Sequence, residues 1–374
     1  MSACFETQHQ TDQTAGSIAV LSPPGAQPRV DQTAGSVAQL PPPPAGVQYR
    51  LSRKGVELLH ATKNFAREHR VWSWWHLGST IAAVAGSMAL AALPLPWPVR
   101  IVLSGIVALC LVRLFIIYHD HSHGTILRRS KMASLIMHAY GLLTLNPPSA
   151  WKRSHNHHHK NNAKIFGASV GSFPVMTREG FAQARFRERA FYVVSRHPLT
   201  ILFGYWTVFV YGMCLKPLLI NPRRHIDCAF AVTLQLAIIL VGARLAPHVY
   251  LFAYLIPMAG AAALGAYLFY SQHNFPGVKL PGRANWDFVD AALLSSSYTA
   301  MGPVMRWFTG NIGYHHVHHL NAHIPFYRLP EAMAKIRELQ SVKPIRLWPL
   351  DVYRCFRLKL WDVKQDRMVS WNGR

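Results

Sequence analysis

Three histidine clusters stand at the edges of long apolar stretches, and this placement limits the fold more than any other feature of the sequence. They are His119-Asp120-His121-Ser122-His123, His155-Asn156-His157-His158-His159 and His315-His316-Val317-His318-His319. Residues at i, i+3 and i+4 share a helix face. His155, His158 and His159 therefore aim at one point, as do His315, His318 and His319, while His119 and His123 pair at i and i+4. If the three faces are to meet, all three clusters must lie on the same side of whatever the apolar stretches cross.

What they cross is a membrane. Of 374 residues, 51 % are hydrophobic and 15 % charged, and the apolar runs are too long and too poor in charge for a soluble core. Stretches 77–93 and 99–118 are each about long enough to span a roughly 30 Å hydrocarbon layer once flanking aromatics are counted. A proline-rich turn, Leu93-Pro94-Leu95-Pro96-Trp97-Pro98, separates them, and Trp72, Trp74 and Trp75 mark a headgroup belt. The second stretch runs straight into His119, and Arg113 reads as a side chain snorkelling to the interface.

Between the second and third clusters lie three further apolar stretches, 199–215, 228–245 and 249–270. Three crossings would strand the last cluster on the wrong side. The loop 216–227 carries Lys216, Arg223 and Arg224, which places it in the cytoplasm and makes 199–215 the re-entrant or interfacial element. The other two form a hairpin turning at Ala246-Pro247-His248 and return the chain at Gln272-His273. The expected fold is an all-α integral membrane protein with about four transmembrane helices, re-entrant or interfacial helices, and a cytoplasmic histidine-rich cap.

The net charge of +23 does not call for nucleic acid, because the basic residues flank apolar segments, where the positive-inside rule and anionic headgroups account for them. An acidic electron carrier suits the same field. Five scattered cysteines without Cys-x-x-Cys spacing exclude a zinc finger, a thiolate cluster or a disulfide framework.

Four regions follow. Residues 1–49 form a disordered Pro/Gln/Thr-rich tail in which Asp12-Gln13-Thr14-Ala15-Gly16-Ser17 recurs at Asp31; it lacks the pattern of a secretory signal. Residues 50–72 read as a basic amphipathic helix lying on the membrane, with Leu51, Leu58, Thr62 and Phe65 on one face. Residues 73–340 hold the spans and the clusters, and 341–374 form a basic cytoplasmic tail. Within the third region, Pro330 and Glu331 open a short helix with Leu329, Met333, Ile336 and Leu339 on one side, packed under the histidine site.

Imidazole binds zinc, copper, iron and nickel, so histidines alone do not name the metal. Eight in three clusters, with His273 as a ninth, exceed what one zinc ion uses and indicate two metals. The soluble di-iron pattern of paired Glu-x-x-His motifs is missing, since such pairs occur only at Glu6 and Glu57. A redox pair at the foot of an apolar bundle suits oxygen activation against an unactivated C–H bond.

The order His119-Asp120-x-x-His123-Gly124, Trp151-Lys152-x-Ser154-His155-x-x-His158-His159, Gln272-His273-x-Phe275 and Gly310-Asn311-Ile312-Gly313-Tyr314-His315-His316-Val317-His318-His319-Leu320 resembles the membrane fatty acid desaturases. It is most similar to the bacterial acyl-lipid Δ12, or omega-6, branch, and the similarity runs from about Trp72 to Leu339. The resemblance implies a non-haem di-iron centre at the cytoplasmic membrane face, ligated by His119, His123, His155, His158, His159, His273, His315, His318 and His319. It further implies O₂-dependent removal of two vicinal hydrogens from a membrane lipid acyl chain, with electrons from ferredoxin or a cytochrome b5-type donor, in a bacterial inner membrane.

Helical phase sets His121 and His157 off the ligand faces, leaves His316 ambiguous, and makes Asp120 an acceptor for a ligand's free N–H. Asn311 is an outer ligand or a helix cap. His76, His138, His197, His225, His248 and His323 read as solvated or headgroup-level residues. The same ligands and oxidant also serve hydroxylases or ketolases of alkanes, sterols or carotenoids. A metal-binding or transport protein would instead carry polar residues along a mid-membrane path.

Overall fold

Prolines and a glycine set the limits of the helices that matter most. This computed structural model describes residues 53–165, 173–282 and 286–373; the 1–49 segment and Leu51 lie outside them. Helix α1 (Arg53–Thr62) is followed by α2 (Arg70–Ala92), which stops before Pro94 and Pro96. Pro98, in the first turn of α3 (Trp97–Ser122), occupies a position where its missing N–H has no helical partner to lose. Gly124 ends α3 by adopting φ 69°, its N–H donating to the His121 carbonyl. The first cluster thus sits on the last turn of a spanning helix.

Helix α4 (Lys131–Leu143) is capped by Ser130, whose hydroxyl accepts from Ala133 N–H, and α5 (Pro148–Lys160) carries the second cluster. After Ile220 come α6 (Ile226–Leu245) and the continuous helical run α7 (Pro247–Ser271). By length and composition α2, α3, α6 and α7 are the four helices able to cross a membrane among the described residues. Their two hairpin turns are tied together away from the histidines, where buried Arg100 donates to the Ala91 and His248 carbonyls and lies over the Phe252 ring.

The apolar stretch before α6 enters and leaves at the histidine end. Arg196 is bonded to Asn274, just beyond α7. Helical segments then follow over Pro198–Leu202, Tyr205–Leu215 and Lys216–Ile220, the middle one with π-type hydrogen bonding. Gly204 packs on Ala262 and Ala266, about 12 Å down α7 from Tyr270 at 1.5 Å per residue. Met213 has already returned to Cys228, whose Sγ donates to its carbonyl. The segment is re-entrant, in keeping with the charge argument.

The cap is built from α8 (His315–Leu320), α9 (Leu329–Lys335), the parallel pair β1 (Tyr298–Ala300) and β2 (Pro344–Arg346), helix α10 (Pro349–Arg357), and the antiparallel hairpin β3 (Leu360–Asp362) and β4 (Arg367–Val369). Residues 341–373 are therefore not a tail. Leu360, Trp361 and Val369 are buried, and Tyr192 donates to the Lys359 carbonyl. The expected interfacial helix also differs, because α1 ends at Thr62 and a 3-10 turn (Lys63–Phe65) follows. Leu58, Thr62 and Phe65 are covered by protein rather than lipid: Asn321 donates to Thr62, and the Arg328 guanidinium lies over the Phe65 ring. The helix opened by Pro330 stops at Lys335, with Leu329, Ala332 and Leu339 buried beneath α8.

Candidate metal centre

Each cluster reaches the site by a different local device. The last turn of α3 carries His119 and His123. Helix α5 has no side-chain cap of its own, and its Ser149 N–H donates to Asp227 Oδ2 at the start of α6, 2.9 Å away. Before α8, Gly310 and Asn311 both take left-handed conformations, φ 50° and 55°. A Cβ at Gly310 would meet Ile116 at 2.9 Å, and one at Gly313 would collide with the Thr299 carbonyl. The glycines let the chain turn against α3 and β1 and aim α8 inward. Asn311 does not cap α8, whose N-cap position is Tyr314; its side-chain amide N–H donates to the Phe326 carbonyl.

Two groups of imidazoles result. His119, His123, His155, His159 and His318 form one; His158, His273, His315 and His319 form the other, and within each group a nitrogen from every ring lies within 4.8 Å of the rest. In the first group Nε2 atoms follow one another from His123 to His155 (3.0 Å), His155 to His159 (3.1 Å) and His159 to His318 (3.1 Å). In the second, His158 meets His319 and His315 meets His273 through Nε2, each at 3.1 Å.

A neutral imidazole has one donor and one acceptor nitrogen. Facing Nε2 atoms can pair as donor and acceptor, and with the proton on each Nδ1 their lone pairs can instead converge on a cation. The five imidazoles of one group and the four of the other are compatible with bound metal.

The surroundings keep these rings neutral. Burial first, then neighbouring imidazoles, hold His123, His155, His158, His159, His315, His318 and His319 well below the ordinary histidine range. Burial lowers His273 to about 4. Two rings are oriented by acceptors: Asp120 Oδ1 lies 3.0 Å from His119 Nδ1, and the Ser295 carbonyl 2.9 Å from His273 Nδ1. The other Asp120 oxygen accepts from Phe326 N–H, so both of its oxygens are engaged by protein groups. Trp151 stacks on His155, centroids 4.5 Å apart, and on Phe269 behind it.

The remaining histidines lie outside both groups. His121 faces the Ile126 carbonyl and His157 faces Asn161; His316 turns away to the Leu339 carbonyl, 3.2 Å from its Nε2. His138, His197, His248 and His323 are exposed as expected, but His76 and His225 are not solvated. His225 is buried against Ser149. His76 lies beside Phe326 and Tyr327 and meets Arg113. Arg113 does not snorkel: it is buried, donates to Thr80 and the Trp307 carbonyl, and stacks on the Trp307 ring. Six residues, about 9 Å, before His119, it finds partners on α2 and at Trp307.

An apolar cleft with about 870 Å³ of atom-free space ends on both groups. Leu111, Val112 and Phe115 of α3, Phe209 of the re-entrant segment, and Met258 and Phe269 of α7 line it, and His119, His155, His158, His273 and His315 close it. Tyr205 lies on its wall, its hydroxyl donating to Gln235, which also accepts from Tyr254 and donates to the Leu143 carbonyl. This polar knot inside the bundle was not anticipated. Nor was α4, although Ser130 before an apolar run was a usable signal.

Comparison with known proteins agrees with this architecture. The sequence model for "Fatty acid desaturase" matches residues 92–349, more than two thirds of the chain. The chain belongs to the fatty acid desaturase family. A fatty acid desaturase of Bacillus subtilis (strain 168) is 29 % identical over 329 residues, covering 86 % of this chain and 92 % of its own. An sn-1 oleoyl-lipid 12-desaturase of Anabaena variabilis is 22 % identical over 305 residues, covering 78 % and 85 %. An endoplasmic reticulum omega-3 fatty acid desaturase of Vigna radiata var. radiata is 23 % identical over 283 residues, covering 70 % and 71 %. The protein is thus an integral membrane fatty acid desaturase with a histidine cluster able to bind metal.

Proposed function

We propose that this desaturase acts on acyl chains of membrane lipids, at two irons held by nine histidines. His119, His123, His155, His159 and His318 would hold one ion, and His158, His273, His315 and His319 the other. The observation that carries this reading is the apolar cleft, which ends on members of both groups. Bound iron would supply the O₂-dependent removal of two vicinal hydrogens. The chain's own residues do the rest. Apolar walls from α3, α7 and the re-entrant segment hold the acyl chain and exclude water. Asp120 and the Ser295 carbonyl fix two rings by accepting their Nδ1–H, and Trp151 fixes a third by stacking.

The lipid-linked substrate is supported by the relative named for oleoyl-lipid, and by a cleft running along spanning helices. The basic loops support a site on the cytoplasmic face; in this reading the membrane is a bacterial inner membrane and ferredoxin or a cytochrome b5-type protein is the electron donor. Expression in a host supplied with saturated and monounsaturated lipids is expected to give a new unsaturated acyl species, only under oxygen, and purified protein to carry two irons per chain. Alcohols or ketones as sole products would replace desaturation with hydroxylation.

A further inference from the structure

The outer face of α10 is exposed among the described residues, and its chemistry is that of a headgroup layer. Leu350, Tyr353, Arg354 and Arg357 follow one another at i, i+3, i+4 and i+7, so they share a face; all four are exposed. Trp348, just before the helix, is exposed too, with the Arg346 guanidinium 4.6 Å from its ring centroid. The inner side sets the height of this face. Phe356 packs on Tyr267 and Tyr270, in the last turns of α7, with centroids 5.6 and 5.3 Å apart, and Asn274, just past α7, donates to the Cys355 carbonyl. The helix thus lies across the end of a spanning helix, where hydrocarbon gives way to headgroups. Among the described residues the acidic partner of these arginines is Asp351, which is engaged by Arg354 and by Arg346 N–H.

We propose that this face is a seat for anionic phospholipid: Trp348, Leu350 and Tyr353 enter the upper acyl region, while Arg346, Arg354 and Arg357 take the phosphates. Aromatic side chains at the boundary and arginines just outside it match the two halves of such a lipid. A cytosolic protein partner would not require the face to be level with the end of α7.

The full chain in nanodiscs tests this without turnover, so the outcome is independent of the reaction assigned above. A nitroxide on Leu350→Cys, in a Cys4→Ser background, is compared with one on exposed Asp366→Cys. In discs containing phosphatidylglycerol, the 350 label is expected to collide several-fold more with oxygen than with a water-soluble nickel chelate, and the 366 label to show the reverse. Discs of phosphatidylcholine alone, or the triple variant R346E/R354E/R357E, are expected to shift the 350 label toward water. Equal nickel access at 350 and 366 in anionic discs would overturn the proposal, as would an unchanged 350 label in both neutral discs and the triple variant.

Discussion

His316 and His318 are two residues apart on α8, yet one ring faces the Leu339 carbonyl and the other the facing imidazoles. Removing a ring that shares an ion leaves its neighbours misoriented. His315→Ala, His318→Ala and His319→Ala are each expected to lose iron and nearly all activity, measured as iron per protein and product yield. His121→Ala and His157→Ala are expected to keep most of both. His316→Ala removes a buried hydrogen bond and leaves the Leu339 carbonyl without its donor, costing about 1–3 kcal/mol of stability with iron retained in the protein that folds. The buried rings also predict a pH response. His273 and His316 titrate near 4 in the fold but near 6.5 when unfolded, so between those values the unfolded chain binds more protons and folding weakens as pH falls. The thermal midpoint of the iron-free protein in detergent is expected to drop from pH 6.5 toward 4, with little change from 7 to 8 from this source.

At the level of elements, the re-entrant segment does two jobs: it keeps the crossing number even and it walls the cleft. Tags in the loop 221–225 and beyond 373 are expected to report the same side, and a tag near Pro247 the opposite side. Gln235→Leu strips an acceptor from the buried Tyr205 hydroxyl and from half-buried Tyr254, at about 1–3 kcal/mol for the Tyr205 hydroxyl left unpaired; it is expected to lower the melting temperature and to broaden the acyl lengths accepted, read from product profiles. Much here was legible beforehand. Helical phase selected eight of the nine rings that the structure gathers and set His121 and His157 aside, because phase is local; His273, alone in its stretch, came only from the family resemblance. Charge in the loop before α6 identified the segment that turns back. Arg113, His76 and Gln235 were misread or passed over, because their partners lie far along the chain and no spacing rule reports them.

Across the whole molecule, residues after 340 close the site rather than trail from it. Asn274, next to His273, donates to the Cys355 and Leu358 carbonyls. Buried Arg196 donates to the Pro174 and Leu358 carbonyls, and Lys359 to the Arg196 carbonyl. Composition alone made this stretch look like a tail, since its buried positions are spread over short elements that have no periodicity to read. Truncation after Arg357 removes the Leu358 carbonyl and the β3–β4 hairpin. It is expected to lower iron content several-fold while the protein still inserts, measured on membranes and on purified protein. The clamp also fixes an order of events during synthesis. Both upstream clusters leave the ribosome long before α8 and the hairpin are made, so the nascent protein waits in the bilayer with half a site; with iron at that site, as proposed above, chains arrested before Leu358 are expected to be inserted but to retain no radiolabelled iron.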